Sequence, residues 1–332
     1  MKDCVMINEK IFSPKVSILI PVFNRKEYIA ECIQSAIDQN FTDFEIVVVD
    51  NASTDGTWEI CQQIAKVDQR VRIFRNESNI GPVRNWKRCV DEAKGSLSKI
   101  LFSDDTLEPD CLIKMVPKLE DPSIALVFCA ARIGKLKNES TIAYSYDESF
   151  GLSSDHFIKL VLSGKAPVSP GAVLIRTSDL SKNLHTSLAT STARNFEGNG
   201  AGPDVMILLL TSRNYPNVAH VEAPLVFFRI HSGSFTILNI NNEIIKGYHS
   251  AISFFLFKYR DRTDWLKYSA KSWLQVMRYS KRWRNPSAHL IEFEGSGKLN
   301  EILFLKLFAS MQIANYIFIR AYVLIRRWLD RK

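Results

Sequence analysis

The sequence predicts an α/β fold with a doubly wound, mostly parallel sheet flanked by helices. Three observations carry that expectation. The apolar runs "VSILIPVF", "FEIVVVD", "VRIFRN" and "LSKILF" lack the polar alternation of half-exposed strands, as strands buried on both faces do. Amphipathic helical segments separate them, the βαβα order of a parallel sheet. Polar or acidic residues then stop several of the runs abruptly.

The elements follow in order. The first run leads into "NRKEYIAECIQSAIDQ", a helix with Asn24 as N-cap and Glu27 closing a capping box. Ile29, Cys32, Ile33, Ala36 and Ile37 form its apolar face. "DGTWEICQQIAKV" is a second helix capped by Asp55, and "PVRNWKRCVDEAKG" a third with Pro82 near its start and Gly95 near its end. "IALVFCAARI" and "GAVLIR" read as later strands, "SSDHFIKLVLSG" as a helix and "DVMILLLTSRN" as a short buried helix. "AHVEAPLVFFRI" reads as a strand leading into the loop "HSGSFT".

A chain of 332 residues with 46% hydrophobic composition builds one large domain or two. Its net charge of +8 is uneven. Residues 1–240 carry 26 Lys/Arg and 28 Asp/Glu, whereas residues 241–332 carry 17 against 7. This divides the chain into an α/β domain, 1–240, and a basic, aromatic-rich helical extension, 241–332. The six cysteines lie within the first 130 residues without a C-x-x-C pair and read as reduced core thiols of a cytosolic domain. The N-terminus lacks the long apolar core of a signal peptide. Ile302–Leu329 is interrupted by Lys306, Gln312, Asn315 and Arg320, so no segment is a clean membrane span.

Ligands of open α/β sheets bind beyond the carboxyl ends of the strands. Asn24, Asp50 and the pair Asp104-Asp105 stand there. Adjacent carboxylates at the end of a buried strand repel and need a positive partner. A magnesium or manganese ion bridging them to substrate phosphates meets that need; capping the helix in "EPDCLIKMV" is the plainer alternative. Neither G-x-G-x-x-G nor the P-loop pattern occurs, so dinucleotide and P-loop binding lose support. The serine-hydrolase signature G-x-S-x-G is also missing.

"VSILIPVFNR", "VVVDNASTDGT", "NIGPVRNW", "FSDDTLEPD", "GPDVMILLL" and "FRIHSGSFT" occur in that order. Together they resemble the motifs of glycosyltransferase family 2, inverting enzymes of GT-A fold, over residues 15–236. The resemblance implies a metal-dependent transferase that moves a sugar from a UDP- or dTDP-linked donor to a hydroxyl of a glycan or lipid-linked acceptor, as in bacterial surface polysaccharide synthesis. It also implies residue roles. Pro21, Phe23 and Arg25 border the base and ribose, and Asp50 accepts a hydrogen bond from the pyrimidine. Arg84 and Asn85 face the site, Asp104 sits near the ribose, and Asp105 holds Mn or Mg in the position of the D-x-D motif. His231 stands near the diphosphate or metal. Asp204 is the catalytic base, although Pro203 replaces the usual acidic neighbour. Plainer readings stand beside these: Asp50 capping a turn with Asn51 and Ser53, Asp204 capping its helix, Arg84 as a solvated helix residue, and His231 as a loop histidine.

In the extension, Leu303, Leu307, Met311, Ala314, Phe318, Tyr322 and Ile325 recur at helical spacing beside Arg320, Arg326, Arg327 and Arg331. That pattern describes an interfacial helix on an anionic membrane, peripheral on the inner face of the cell membrane. Packing against the catalytic domain, or between copies in an oligomer, is the alternative. A nucleic-acid partner is not expected, because residues 1–240 are slightly acidic. A nucleotidyltransferase and a non-catalytic sugar-nucleotide-binding protein are the competing functions.

Overall fold

The computed structural model describes residues 13–146, 151–188, 194–196, 200–234, 242–276, 285, 300–311 and 313. The later part of the apolar stripe, from Ala314 onward, and the four arginines beside it lie outside the described residues.

Strands β1 (Val16–Val22), β2 (Phe44–Asp50), β3 (Val71–Arg75) and β4 (Leu97–Ile100) alternate with helices α1 (Ile29–Ile37), α2 (Thr57–Val67) and α3 (Pro82–Glu92). The strands pair in parallel in the order β3-β2-β1-β4. Every residue of β1 and β2 is buried. The reason is visible in which side each residue faces. Ile18, Ile20, Ile46 and Val48 pack with Ile29, Cys32 and Cys61 of α1 and α2. Leu19, Val47 and Val49 pack with Val83 and Cys89 of α3. Helices cover both faces, so both side-chain sets are apolar and no alternation is left to read.

Beyond β4 come the short edge strand β5 (Thr106–Leu107), helix α4 (Cys111–Met115) and the long strand β6 (Ile124–Gly134). After β7 (Thr141–Ala143) and β8 (Leu152–Ser153) follow helix α5 (Ser154–Leu162), strand β9 (Val173–Arg176) and helix α6 (Thr177–Asn183). A small hairpin, β10 (Ser187–Leu188) and β11 (Arg194–Asn195), precedes helix α7 (Pro203–Ser212) and strand β12 (Asn217–Arg229). β9 runs antiparallel between β4 and β6, β12 is parallel to β6, and β5 is antiparallel to β12. The antiparallel insertion brings the ends of β1, β4 and β12 to one side of the sheet.

α7 is buried along its whole length, which explains a helix that is apolar on all sides. It is covered by helix α8 (Asn242–Tyr259), which is followed by helix α9 (Arg262–Val276). Ala251, Phe255, Trp265 and Leu305 belong to the same core cluster as Phe128 and Leu208. Trp265 is fully buried and donates from Nε1 to Ser253 Oγ at 2.8 Å.

Two capping expectations change. Asn24 does not cap α1: it adopts a left-handed φ of 50°, and its Oδ1 accepts the Thr54 N–H at 2.9 Å. The helix begins at Ile29 instead, after a turn in which the Arg25 carbonyl accepts the N–H groups of Tyr28 and Ile29. Asp55 accepts from the N–H and hydroxyl of Thr57 and from the Lys26 N–H, so it ties two loops together across Gly56. The described cysteines, Cys32, Cys61, Cys89, Cys111 and Cys129, are free and buried. Burial pushes the Cys61 thiol up to about 12. Among the described residues no helix is long and apolar enough to cross a membrane.

Candidate active site

The ends of β1, β4 and β12 meet the start of α7 around a cavity of about 670 Å³. Pro21, Phe23 and Arg25 line it around the end of β1, Asp104 and Asp105 after β4, and Arg229 and Ser234 around the end of β12. Asp204 and Tyr248 line the same cavity.

Asp105 is held by a turn in which its N–H donates to the Phe102 carbonyl at 2.9 Å. Its Oδ1 accepts the Arg229 N–H at 2.9 Å. Asp104 Oδ2 lies 3.0 Å from His231 Nε2 and 3.6 Å from Arg25 Nε. Arg229 adds a bond from Nε to the Asp104 carbonyl at 3.0 Å. Beneath the pair, Lys99 is fully buried and donates to the Gly171 carbonyl. The positive charge that the adjacent carboxylates require is therefore supplied in part by Arg25, Arg229 and Lys99. Burial and the neighbouring Asp104 charge still push the Asp105 carboxyl well above the carboxylate range, against the pull of the Arg229 N–H and Lys99.

Asp204 stands in the first turn of α7 and is 7% exposed. Its Oδ1 accepts the N–H groups of Gly202 at 2.8 Å and Val205 at 2.7 Å, and its Oδ2 accepts the Tyr248 hydroxyl at 2.6 Å. Burial raises this carboxyl from 3.8 to about 6, with the three donors pulling the other way.

Three of the candidate residues stand apart from the cavity. Asp50 is wholly buried, lies 3.2 Å from Arg75 Nε and accepts the Ser53 N–H at 3.1 Å. That is its turn-capping alternative, and its neighbour Asn51 faces the cavity instead. Arg84 is exposed on α3 and outside the lining, while Asn85 and Trp86 of the same helix are within it. His231 is also outside the lining and is committed to Asp104. Its Nδ1 accepts the Gly233 N–H at 3.2 Å, so Nε2 carries the proton and donates. As placed, it orients a carboxylate; binding a metal through Nε2 requires it to leave that contact.

Asn51, Asn79, Asn85 and Tyr248 were not singled out for a role by the sequence, apart from Asn85 beside Arg84. Asn76 donates to Asn51 and Asn85 at 2.8 Å each, and Asn51 donates to Asn79 at 2.8 Å. This amide network joins β2, β3 and the turn before α3 into the cavity floor. Its only signal in the sequence is asparagine recurring at the ends of consecutive strands. Tyr248 has no local signal, because it meets Asp204 across 44 positions.

The sequence profile of the family described as "Glycosyl transferase family 2" matches residues 17–178. The chain is 29% identical over 231 residues to the putative glycosyltransferase EpsH of Bacillus subtilis, a match covering 67% of this chain and 62% of that protein. It is 34% identical over 109 residues to the GalNAc(5)-diNAcBac-PP-undecaprenol beta-1,3-glucosyltransferase of Campylobacter jejuni, covering 32% of this chain and 35% of that one. These matches span less than two thirds of the relatives' own lengths. The fold is similar to that of Staphylococcus aureus TarS 1–349, solved in complex with UDP, with a TM-score of 0.63 and 14% identity over 91% of this chain and 92% of that one. The architecture is thus a GT-A fold, and residues 17–178 of this chain match the glycosyl transferase family 2 profile.

Proposed function

We propose that this chain is an inverting glycosyltransferase that uses a nucleoside-diphosphate sugar and a divalent cation. The observation that carries the reading is one cavity lined both by the acidic pair Asp104-Asp105 at a strand end and by a separate buried carboxylate, Asp204, from the start of α7. In the reaction the acceptor oxygen bonds to the anomeric carbon, the bond to the diphosphate breaks, and the acceptor proton passes to Asp204. A carboxyl raised to about 6 is ionised at neutral pH and more basic than an ordinary aspartate.

The oxygen donors of Asp104 and Asp105 suit Mg or Mn. Among the described residues no group of three or more His, Cys, Asp or Glu converges on one point. Two carboxylates suffice for an ion of this kind, which takes further ligands from water and substrate phosphates. When bound, it supplies Lewis-acid stabilisation to the departing diphosphate. Arg25 and Arg229 border the same place, and His231 keeps Asp104 turned toward it.

A UDP or dTDP donor is favoured by the family resemblance and by the UDP complex of TarS. A glycan or lipid-linked acceptor in bacterial surface polysaccharide synthesis is favoured by the kind of acceptor in the Campylobacter relative's name. In this reading residues 1–240 form the catalytic domain and 241–332 an extension that brings the enzyme, from the cytoplasmic side, to an anionic membrane. Exposed Leu303, Leu307 and Met311 support that role.

The test is a panel of nucleotide-sugars with and without manganese, read as nucleoside diphosphate release. Asp204→Asn is expected to bind donor and fail to transfer it, and Asp105→Ala to lose metal-dependent binding. Full turnover by Asp204→Asn removes the assigned base, and donor affinity indifferent to both ions removes the metal.

A further inference from the structure

We propose that Tyr248, on the first helix beyond the catalytic sheet, is a positioning residue that holds Asp204 ready to receive the acceptor proton. The inference rests on the assignment of Asp204 as base and adds to it a requirement for α8.

The geometry is specific. Asp204 Oδ1 is spent on two backbone N–H groups, those of Gly202 and Val205. The oxygen left for an incoming hydroxyl is Oδ2, the one to which Tyr248 donates at 2.6 Å. With both oxygens engaged, the carboxylate has one orientation. Tyr248 itself lines the cavity beside Asp204, so the contact stands where the acceptor must sit.

The surrounding structure is shaped to keep that contact. The residue before the tyrosine is Gly247, where a Cβ would collide with the carbonyl oxygen of Ala201, one residue before Gly202. A mid-helix glycine is less stable than alanine there; here it lets the α8 backbone press on the loop that carries Asp204. Gly202 has a left-handed φ of 117°, and a Cβ there would stand 3.0 Å from the Gly247 carbonyl oxygen. The residue after the tyrosine, His249, is buried and hydrogen-bonded through Nδ1 to Tyr268 of α9 at 2.7 Å. Three successive residues of α8 therefore serve approach, contact and bracing.

Electrostatics agree with this role. The Tyr248 hydroxyl favours the charged carboxylate and so offsets part of the burial that raises it. Burial keeps the phenol protonated, Asp204 reinforces it, and Tyr144 from the segment after β7 acts in the same sense. Among the described residues, the titratable groups acting on this contact are Asp204, Tyr248 and Tyr144.

The test compares Tyr248→Phe and Asp204→Asn in the full chain. Carboxyl-carbon NMR titration without ligand follows Asp204, its resonance assigned by its loss in Asp204→Asn. Loss of a charged hydrogen bond in Tyr248→Phe should raise its midpoint by about one pH unit. The acid limb of kcat/KM for nucleoside diphosphate release should rise with it, while donor KM stays unchanged and kcat at pH 8 falls about tenfold. Incorporating 3-fluorotyrosine at position 248, a stronger donor of nearly the same shape, should move the limb downward, which keeps the test open if Tyr248→Phe folds poorly. An unmoved midpoint and limb in both replacements overturn the role of Tyr248, even if kcat falls. That failure is distinct from full turnover by Asp204→Asn, which overturns the base itself.

Discussion

His231 Nε2 lies 3.0 Å from Asp104 Oδ2, while its Nδ1 accepts the Gly233 N–H. The contact joins the end of β12 to the end of β4 across 127 positions, and Tyr28 packs against the imidazole with ring centroids 4.5 Å apart. In the proposed site His231 orients a carboxylate offered to the metal, and such a group influences metal affinity without touching the ion. His231→Phe keeps the ring packing and removes the hydrogen bond. It should weaken manganese-dependent UDP binding about tenfold or more and leave the melting temperature close to that of the parent. Calorimetry with and without manganese checks this.

Asp50 should prove structural. It is sealed against Arg75, whose side chain is 40% exposed, so the pair is only partly desolvated. Asp50→Asn keeps an acceptor for the Ser53 N–H and removes the charge. The expected loss is about 2 kcal/mol, below that of a fully buried pair, with UDP affinity near that of the parent. Urea unfolding and calorimetry separate the two; a stable variant with abolished UDP binding would return Asp50 to base recognition.

The raised carboxyl of Asp204 has a consequence for stability. The group titrates at about 6 when folded against 3.8 ordinarily. The folded state therefore holds the proton more tightly, and the stability this confers is complete below about pH 4 and lost as pH rises through 6. Above that, the buried charge costs up to about 3 kcal/mol. Asp204→Asn should then be more stable than the parent at pH 8, with the difference shrinking toward pH 4. Urea midpoints at both pH values check the sign.

Trp265 couples the extension to the rest of the fold. It is fully buried in the cluster that includes α7 and α8. Trp265→Ala should destabilise the protein by about 3–5 kcal/mol. If α8 is part of the catalytic unit, the thermal loss of turnover should track unfolding of the extension, followed by tryptophan fluorescence.

Leu303, Leu307 and Met311 are 57%, 64% and 56% exposed on helical residues 300–311, whereas Leu305 is fully buried. One side of this segment holds the core and the other faces outward. Leu303→Glu with Leu307→Glu should reduce sedimentation with phosphatidylglycerol-rich vesicles and spare the fold. Unchanged sedimentation would end the membrane proposal.

Much of the architecture was legible in the sequence because its cause is local. β1 and β2 are continuous apolar runs since helices cover both faces, and a run of that kind declares itself within seven residues. Asp104-Asp105 was legible for a related reason: charge at the end of an apolar strand needs an explanation wherever it sits, whereas Asp204 was pointed to by the family resemblance. Side-chain direction was not legible. Asp50 and Asn51 are neighbours, yet one is sealed against Arg75 and the other faces the cavity, because successive residues leaving a strand point to opposite sides. Arg84 and Trp86 divide in the same way around α3. Tyr248 lay furthest from reach. Its partner is 44 positions away, and only the packing of α8 on α7 turns a tyrosine in an ordinary helix into a neighbour of Asp204. Composition and periodicity determine which segments are buried; the crossing of two helices decides which side chains meet, since that depends on contacts distant in the chain.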